Sequence, residues 1–343
     1  MPPQKTAASF AEIRALMTEL PGPDRAALDA ASSREGKLTK PPGALGRLEE
    51  LTAWLSAWQG RHPPSLDRPR VAVFAGNHGV AARGVSAYPA EVTRQMVANF
   101  LSGGAAINQL CKAVDADLRV YEMNLDRPTA DFTQGPAMDE ADCAHAMAYG
   151  MLAVEPGIDV LCLGEMGIAN TTSAAALCHA LYGGQARDWA GPGTGVAGDG
   201  LQRKIAAVEA GVKSNRASLG DPLTVLAALG GREIAAIAGA VLAARLARVP
   251  VVLDGYTSTA AGAVLHALKP GLIDHCQVGH CSAEPAHAAL CQRIGKKPVL
   301  NLDMRLGEGT GAALAVMMMK GAVACHTGMA TFAEAGVSGK EGP

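Results

Sequence analysis

Two places in the chain carry nearly the same tripeptide ahead of a run of small residues. Leu163-Gly164-Glu165 leads into Met166-Gly167-Ile168-Ala169-Asn170-Thr171-Thr172, and Leu306-Gly307-Glu308 leads into Gly309-Thr310-Gly311. Each follows an apolar run and opens an Ala-rich stretch that reads as helix. Glycine at a strand-to-helix joint lets a ligand approach the backbone, and the free N–H groups of a helix start favour anions. A carboxylate set among them can act as base, ribose ligand or charge stabiliser. Two such joints imply one cleft lined from two strands.

Other polar, glycine-rich segments also follow apolar runs: Gly76-Asn77-His78-Gly79-Val80 with Gly84-Val85-Ser86, then Gly255-Tyr256-Thr257-Ser258-Thr259, then Gly279-His280-Cys281-Ser282-Ala283-Glu284. Singly these are ordinary strand-to-helix turns; together they describe one functional edge of a parallel sheet. Gly191-Pro192-Gly193-Thr194-Gly195 can present backbone N–H groups to a phosphate, with Lys204 as the cation. That loop is neither a Walker motif nor a dinucleotide fingerprint. The spacing of His275, Cys276, His280, Cys281, His287 and Cys291 does not reproduce a zinc pattern, so no metal is expected. A Gly-x-Ser-x-Gly elbow is absent. So is the Asp-rich loop with which diphosphate-dependent ribosyl transferases hold magnesium. Any phosphoribosyl donor used here would be a mononucleotide whose leaving group is not pyrophosphate.

The elements that must position these segments alternate. Strands are expected at 71–75, 118–123, 159–163, 249–254, 273–278 and 299–302, with amphipathic or Ala-rich helices between them. Alternation implies right-handed crossovers and a mainly parallel sheet covered on both faces. The fold class expected is α/β, a doubly wound, Rossmann-like sheet of six strands. Residues 9–60 read as helical, broken at Pro21-Gly22-Pro23 and Lys40-Pro41-Pro42-Gly43.

The 343 residues are 49% hydrophobic and 18% charged, enough to bury a substantial core. A formal net charge of −2 gives no reason to expect nucleic acid or an anionic membrane surface. The start, Met1-Pro2-Pro3-Gln4-Lys5, lacks the layout of a secretory signal, and the apolar run 312–319 is too short to span a bilayer. Cysteines in apolar runs fit a reduced compartment, and a cytoplasmic protein is expected.

Taken together, several segments resemble the nicotinate-nucleotide–dimethylbenzimidazole phosphoribosyltransferase family. They are Lys40-Pro41-Pro42-Gly43-Ala44-Leu45-Gly46-Arg47-Leu48-Glu49, Asn77-His78-Gly79-Val80 with Gly84-Val85-Ser86 and Val92-Thr93, and the Gly164–Thr172 joint. The rest are the Gly191–Gly195 loop, Leu253-Asp254-Gly255, Gly279–Glu284 and Leu306–Gly311. The match runs in order from about residue 37 to about residue 330. Many members of that family have Asp in place of Asn77.

The resemblance implies transfer of 5-phosphoribosyl from nicotinate mononucleotide to 5,6-dimethylbenzimidazole, by a homodimer that needs no cofactor. It also implies a small helical domain built from residues 1–60 and the tail 327–343, beside an α/β catalytic domain at 61–326. Glu308 would be the catalytic base, and Glu165 would bind the ribose hydroxyls. The amides of Gly167, Gly193 and Gly195, with Lys204 and Ser282, would hold the 5′-phosphate. Ser86 and Gln95 would border the benzimidazole pocket, with Leu306 against the ring. Two other readings are a non-catalytic nucleotide- or azole-binding protein of the same fold and a nicotinamide-dependent dehydrogenase. The former would have no need of the base, and the latter lacks its fingerprint.

Overall fold

The structure, a computed structural model, describes residues 9–339. The leader reading at Met1–Lys5 and the end of the tail, residues 340–343, lie outside the described residues. Three helices come first: α1 (Phe10–Leu16), α2 (Arg25–Glu35) and α3 (Arg47–Gln59). β1 (Pro69–Ala75) leads to α4 (Glu91–Ser102) and α5 (Ala106–Val114), and β2 (Asp117–Glu122) to α6 (Glu140–Met151). β3 (Val160–Met166) is followed by α7 (Asn170–Tyr182), α8 (Ala186–Trp189), α9 (Asp199–Ser214), α10 (Pro222–Leu229) and α11 (Arg232–Leu246). β4 (Val251–Leu253) opens into α12 (Tyr256–Leu268), and β5 (Cys276–Val278) continues past Gly279 as β6 (His280–Cys281). Last come α13 (Ala286–Arg293), β7 (Leu300–Asn301), α14 (Thr310–Gly328) and α15 (Phe332–Ala335).

The main sheet is parallel, in the order β2-β1-β3-β4-β5. In this doubly wound order the chain moves outward in opposite directions from β1 and β3, so the loops after those strands part and leave a crevice. Alternate side chains along each strand feed opposite cores. Ala72, Phe74, Leu161, Leu163, Val251 and Leu253 pack on one face with helices that include α7, α11 and α12. Val71, Val73, Val160, Cys162 and Val252 pack on the other with α3, α5 and α14. Burial on both faces explains why β1 reads as an unbroken apolar run from Val71 to Ala75, whereas the edge strand β2 is only half-buried.

The sheet has five strands rather than the six expected in one sheet. The sixth, β7, pairs in parallel with β6 as a separate two-stranded sheet. Gly279 marks the break. Its N–H still bonds Leu253 O at 2.7 Å, while its carbonyl accepts from Leu300 N–H at 3.0 Å. A Cβ at Gly279 would stand 2.8 Å from Ala312 Cα, because the first turn of α14 rests on this backbone. A still closer approach joins α6 to α11, where a Cβ on Gly239 would lie 1.9 Å from Met147 O.

The two chain ends meet. Arg34 of α2 donates to the carbonyls of His326, Thr327 and Met329, and Leu38 forms an isolated antiparallel bridge with Thr331. α3 also buries Leu51 and Leu55 in the same core as Val71 and Val73, so the terminal helices share the sheet's second core. α14 runs unbroken across 326/327, where the sequence reading divides the α/β part from the tail.

Candidate active site

The two Leu-Gly-Glu joints stack on one another. The N–H of Glu308 donates to Glu165 O at 3.1 Å. Gly164 makes this possible, since a Cβ there would lie 2.3 Å from Gly309 N. Gly307, at φ 85°, lies over the other carboxylate, where an added Cβ would be 2.7 Å from Glu165 Oε1. Each joint enters its helix through a left-handed residue, Ala169 at φ 77° before α7 and Gly309 at φ 85° before α14. Glu308 is itself left-handed at φ 65°, a conformation that costs a non-glycine residue about 1 kcal/mol or more.

Asp254, at the end of β4, fixes the second joint. Its carboxylate accepts from Gly309 N–H at 3.1 Å and from Ala312 N–H at 2.9 Å, so it caps α14 one residue from Glu308. Glu308 is 4% exposed and its Oε2 has no hydrogen-bond partner among the described residues. Burial, with the Asp254 charge adding to it, pushes its carboxyl up to about 7. Burial likewise pushes Glu165 up to about 8; the Asn170 side-chain amide opposes the shift, and Asp254, Glu233 and Glu308 reinforce it. A carboxyl poised near neutrality, with an unengaged oxygen, is suited to taking a proton.

Glu165, Gly167, Gly193, Ser282 and Leu306 line one cleft with Thr171. Leu306 is 56% exposed at its mouth, free to cover a flat ring. Lys204 is buried against this lining, donating to Thr171 Oγ1 at 2.8 Å and Gly191 O at 2.9 Å. Burial lowers its pKa to about 8, partly offset by Glu284. Ser86 joins the cleft's lip through a 3.1 Å contact with Thr194 Oγ1. Gln95 is exposed on α4, the helix tied to the first joint by a 3.1 Å bond from Ile168 N–H to Thr93 Oγ1.

The glycine loop differs from the sequence reading. The N–H of Gly193 donates to Glu284 Oε1 at 2.7 Å, and that of Gly195 closes a turn onto Pro192 O at 3.0 Å. Both amides expected to hold a phosphate are spent inside the protein. What Gly193 provides is room: a Cβ there would stand 2.9 Å from Lys204 Nζ. Two histidines of the histidine–cysteine run are similarly engaged. His275 Nε2 lies 3.0 Å from Val241 O, and His287 accepts from Ser282 N–H and contacts Thr259 Oγ1. Burial pushes the Cys276 and Cys291 thiols up to about 12.

A larger cavity of ≈ 630 Å³ lies away from these joints, lined by Phe10, Met138 and Arg232 among others. Arg232 is already paired with Asp142 and with Arg127 O.

With this geometry in place, the family model DBI_PRT, described as phosphoribosyltransferase, matches residues 20–337. The chain belongs to this phosphoribosyltransferase family. It is 60% identical over 332 residues to the nicotinate-nucleotide–dimethylbenzimidazole phosphoribosyltransferase of Rhizobium meliloti (strain 1021), covering 97% of this chain and 98% of that one. It is 59% identical over 331 residues to the protein of the same name from Rhizobium etli (strain CIAT 652), covering 96% and 98%. The crystal structure of a nicotinate-nucleotide–dimethylbenzimidazole phosphoribosyltransferase from Thermus thermophilus superimposes with a TM-score of 0.85 at 43% identity, covering 92% of this chain and 100% of that one.

For a phosphoribosyltransferase the cleft lies where the doubly wound sheet predicts, past the carboxyl ends of β3, β4 and β5. Sequence reasoning left Asp254, Thr171, Glu284 and Asn170 without roles, although all four sit in segments it singled out. The available signal was position alone: each follows a strand or glycine loop. Asn170 meets Glu165 within its own joint, but the partners of the other three come from distant segments, such as Glu284 for Gly193. The Asn77 side-chain amide donates to Leu125 O at 2.9 Å, a bond that an ionised aspartate in its place could not make.

A polar chain also lies buried behind the cleft. Ser173 Oγ is 3.0 Å from His78 Nδ1, and His78 Nε2 is 2.5 Å from Glu233 Oε1. Glu233 is wedged beside Gly76, where a Cβ would come 2.3 Å from its Oε2, so the chain braces the end of β1.

Proposed function

We propose that this phosphoribosyltransferase transfers a 5-phosphoribosyl group from nicotinate mononucleotide to 5,6-dimethylbenzimidazole, giving α-ribazole 5′-phosphate and nicotinate for assembly of the cobalamin lower ligand. The observation that carries the reading is Glu308: a desolvated carboxyl with a pKa of about 7 and a partnerless oxygen, held one hydrogen bond from Glu165.

The reaction is a single displacement with inversion at C1′. The acceptor ring nitrogen forms its bond to C1′ while the bond from C1′ to the pyridinium nitrogen breaks, and that electron pair leaves with nicotinate. The azole N–H proton passes to Glu308. Because the pyridinium leaves as a neutral ring, the donor arrives activated, and the protein's main task is to hold two rings on opposite faces of the ribose. Such positioning lowers barriers by about 7–11 kcal/mol, and base catalysis adds a factor of about 10²–10⁴.

Glu165 takes the ribose hydroxyls. Gly167, Lys204 and Ser282 face the phosphoribosyl group, with Gly193 and Gly195 shaping the loop that covers Lys204. Ser86, Gln95 and Leu306 border the acceptor. The protein acts as a cytoplasmic homodimer without metal or cofactor; no helix among the described residues is long and apolar enough to cross a membrane. A non-catalytic binder fits less well, since nothing in binding alone calls for a glutamate buried next to two other carboxylates. Incubation with nicotinate mononucleotide and dimethylbenzimidazole tests the reading. Free nicotinate and α-ribazole 5′-phosphate should appear in equal amounts, and neither forming would refute it.

A further inference from the structure

His280 is 1% exposed, yet neither ring nitrogen has a hydrogen-bond partner among the described residues. The closest acidic oxygen, Asp254 Oδ1, is 3.9 Å from Nε2, beyond hydrogen-bond length, and already accepts from the α14 backbone. Both nitrogens of the neighbouring His287 are occupied, by Thr259 Oγ1 and Ser282 N–H, and His275 Nε2 faces Val241 O. A stranded imidazole N–H has lost its hydration with nothing in return, so such groups in native proteins call for a partner.

Two glycines make room for this ring. A Cβ on Gly311 would stand 1.9 Å from His280 Cδ2, and one on Gly255 would stand 3.0 Å from Nε2. His280 belongs to the cleft wall together with Gly255, Thr257 and Ser282. Gly255 is also the N-cap of α12, a 13-residue helix with no side chain capping its first turn. First-turn N–H groups have no partner within a helix and carry its positive end. Glu284 does not answer them: one oxygen takes the Gly193 N–H, and the other lies against Gly191. The cleft therefore combines spent amides at Gly193 and Gly195 with unspent donors at His280 and α12.

We propose that His280 and the uncapped N-terminus of α12 form an oxyanion receptor for the nucleotide donor, His280 giving a ring N–H to a donor oxygen. The inference rests on nicotinate mononucleotide being that donor and deepens the reading by assigning the residue that recognises its charge. The donor carries two oxyanions, the 5′-phosphate and the ring carboxylate, with the same hydrogen-bonding chemistry, and analogues separate them.

The test is calorimetric titration of the full-length wild type, His280→Ala and His280→Gln with nicotinate mononucleotide, nicotinate riboside and nicotinamide mononucleotide. His280→Ala should raise the Kd for nicotinate mononucleotide about ten- to a hundredfold, as loss of a charge-assisted hydrogen bond does. His280→Gln, which keeps an N–H donor, should recover part of the loss. If the phosphate is the group held, the Ala variant binds nicotinate riboside as the wild type does while nicotinamide mononucleotide weakens; if the carboxylate is held, the two analogues exchange behaviour. A Kd for nicotinate mononucleotide within about twofold of wild type would overturn the proposal, being less than any hydrogen bond to a charged group contributes. So would an equal loss for all three ligands and for dimethylbenzimidazole, accompanied by a lower melting temperature, because that pattern means packing alone. Wild-type protein that binds the nucleotide but releases no nicotinate with the azole would refute the proposed reaction and leave the His280 result standing. Wild type that binds none of the three would overturn both.

Discussion

Replacing Glu308 by Gln keeps the shape of the side chain and removes its ionisation, which separates two consequences of its burial. The first is kinetic. A base with a pKa of about 7 is protonated below neutrality, so wild-type turnover should fall about tenfold per pH unit on the acid side and level off above pH 7. Glu308→Gln should lower kcat by about 10²–10⁴-fold and flatten that limb. The second is thermodynamic. The folded carboxyl, at about 7 against an ordinary 4.5, holds its proton more tightly than the unfolded one. Ionisation therefore costs the folded state. The stability conferred by the bound proton is complete below 4.5 and is lost as pH rises through 7, a difference of about 3 kcal/mol. Glu308→Gln escapes this cost, so its stability advantage over wild type should grow between pH 4.5 and 7 and stay constant above. Nicotinate release measured from about pH 5 to about pH 9 gives the first result, and urea unfolding over the same range gives the second. An acid limb that persists in the Gln variant, centred near 8, would assign the limb to Glu165 instead and refute Glu308 as the base. A stability difference that does not change with pH would refute the buried, proton-retaining carboxyl itself.

Lys204→Ala should raise the Kd for nicotinate mononucleotide more than that for dimethylbenzimidazole, as read by calorimetry; the reverse ranking would remove Lys204 from the phosphate. Because burial lowers Lys204 to about 8, donor binding by the wild type should weaken as pH rises through 8 and this charge is lost. Gly164→Ala drives a Cβ into the Gly309 backbone and should cost about 1–3 kcal/mol in denaturant unfolding and about 10²-fold in kcat, since Glu308 is displaced with the loop. His78→Phe strands Glu233 in the core and should cost about 3–5 kcal/mol by the same unfolding assay; a loss below about 1 kcal/mol would show that the pair is not the brace at the end of β1.

Much of this protein was determined by residue order alone, because the relevant physics is local. Alternating apolar runs and Ala-rich segments determine a parallel doubly wound sheet, since only helical crossovers can return the chain to the start of the next parallel strand. The glycine-rich polar segments at strand ends place the cleft, and the paired Leu-Gly-Glu joints name both carboxylates. What the sequence does not contain is who faces whom. That Glu284 takes the Gly193 amide, that Asp254 caps α14 beside Glu308, and that β7 pairs with β6 and not with the main sheet all depend on contacts between distant segments. The pKa of Glu308 is of the same kind: the amides of a helix start pull it down, an apolar wall pushes it up, and only tertiary packing, which buries the side chain and aims Asp254 at the neighbouring amide, decides for the latter.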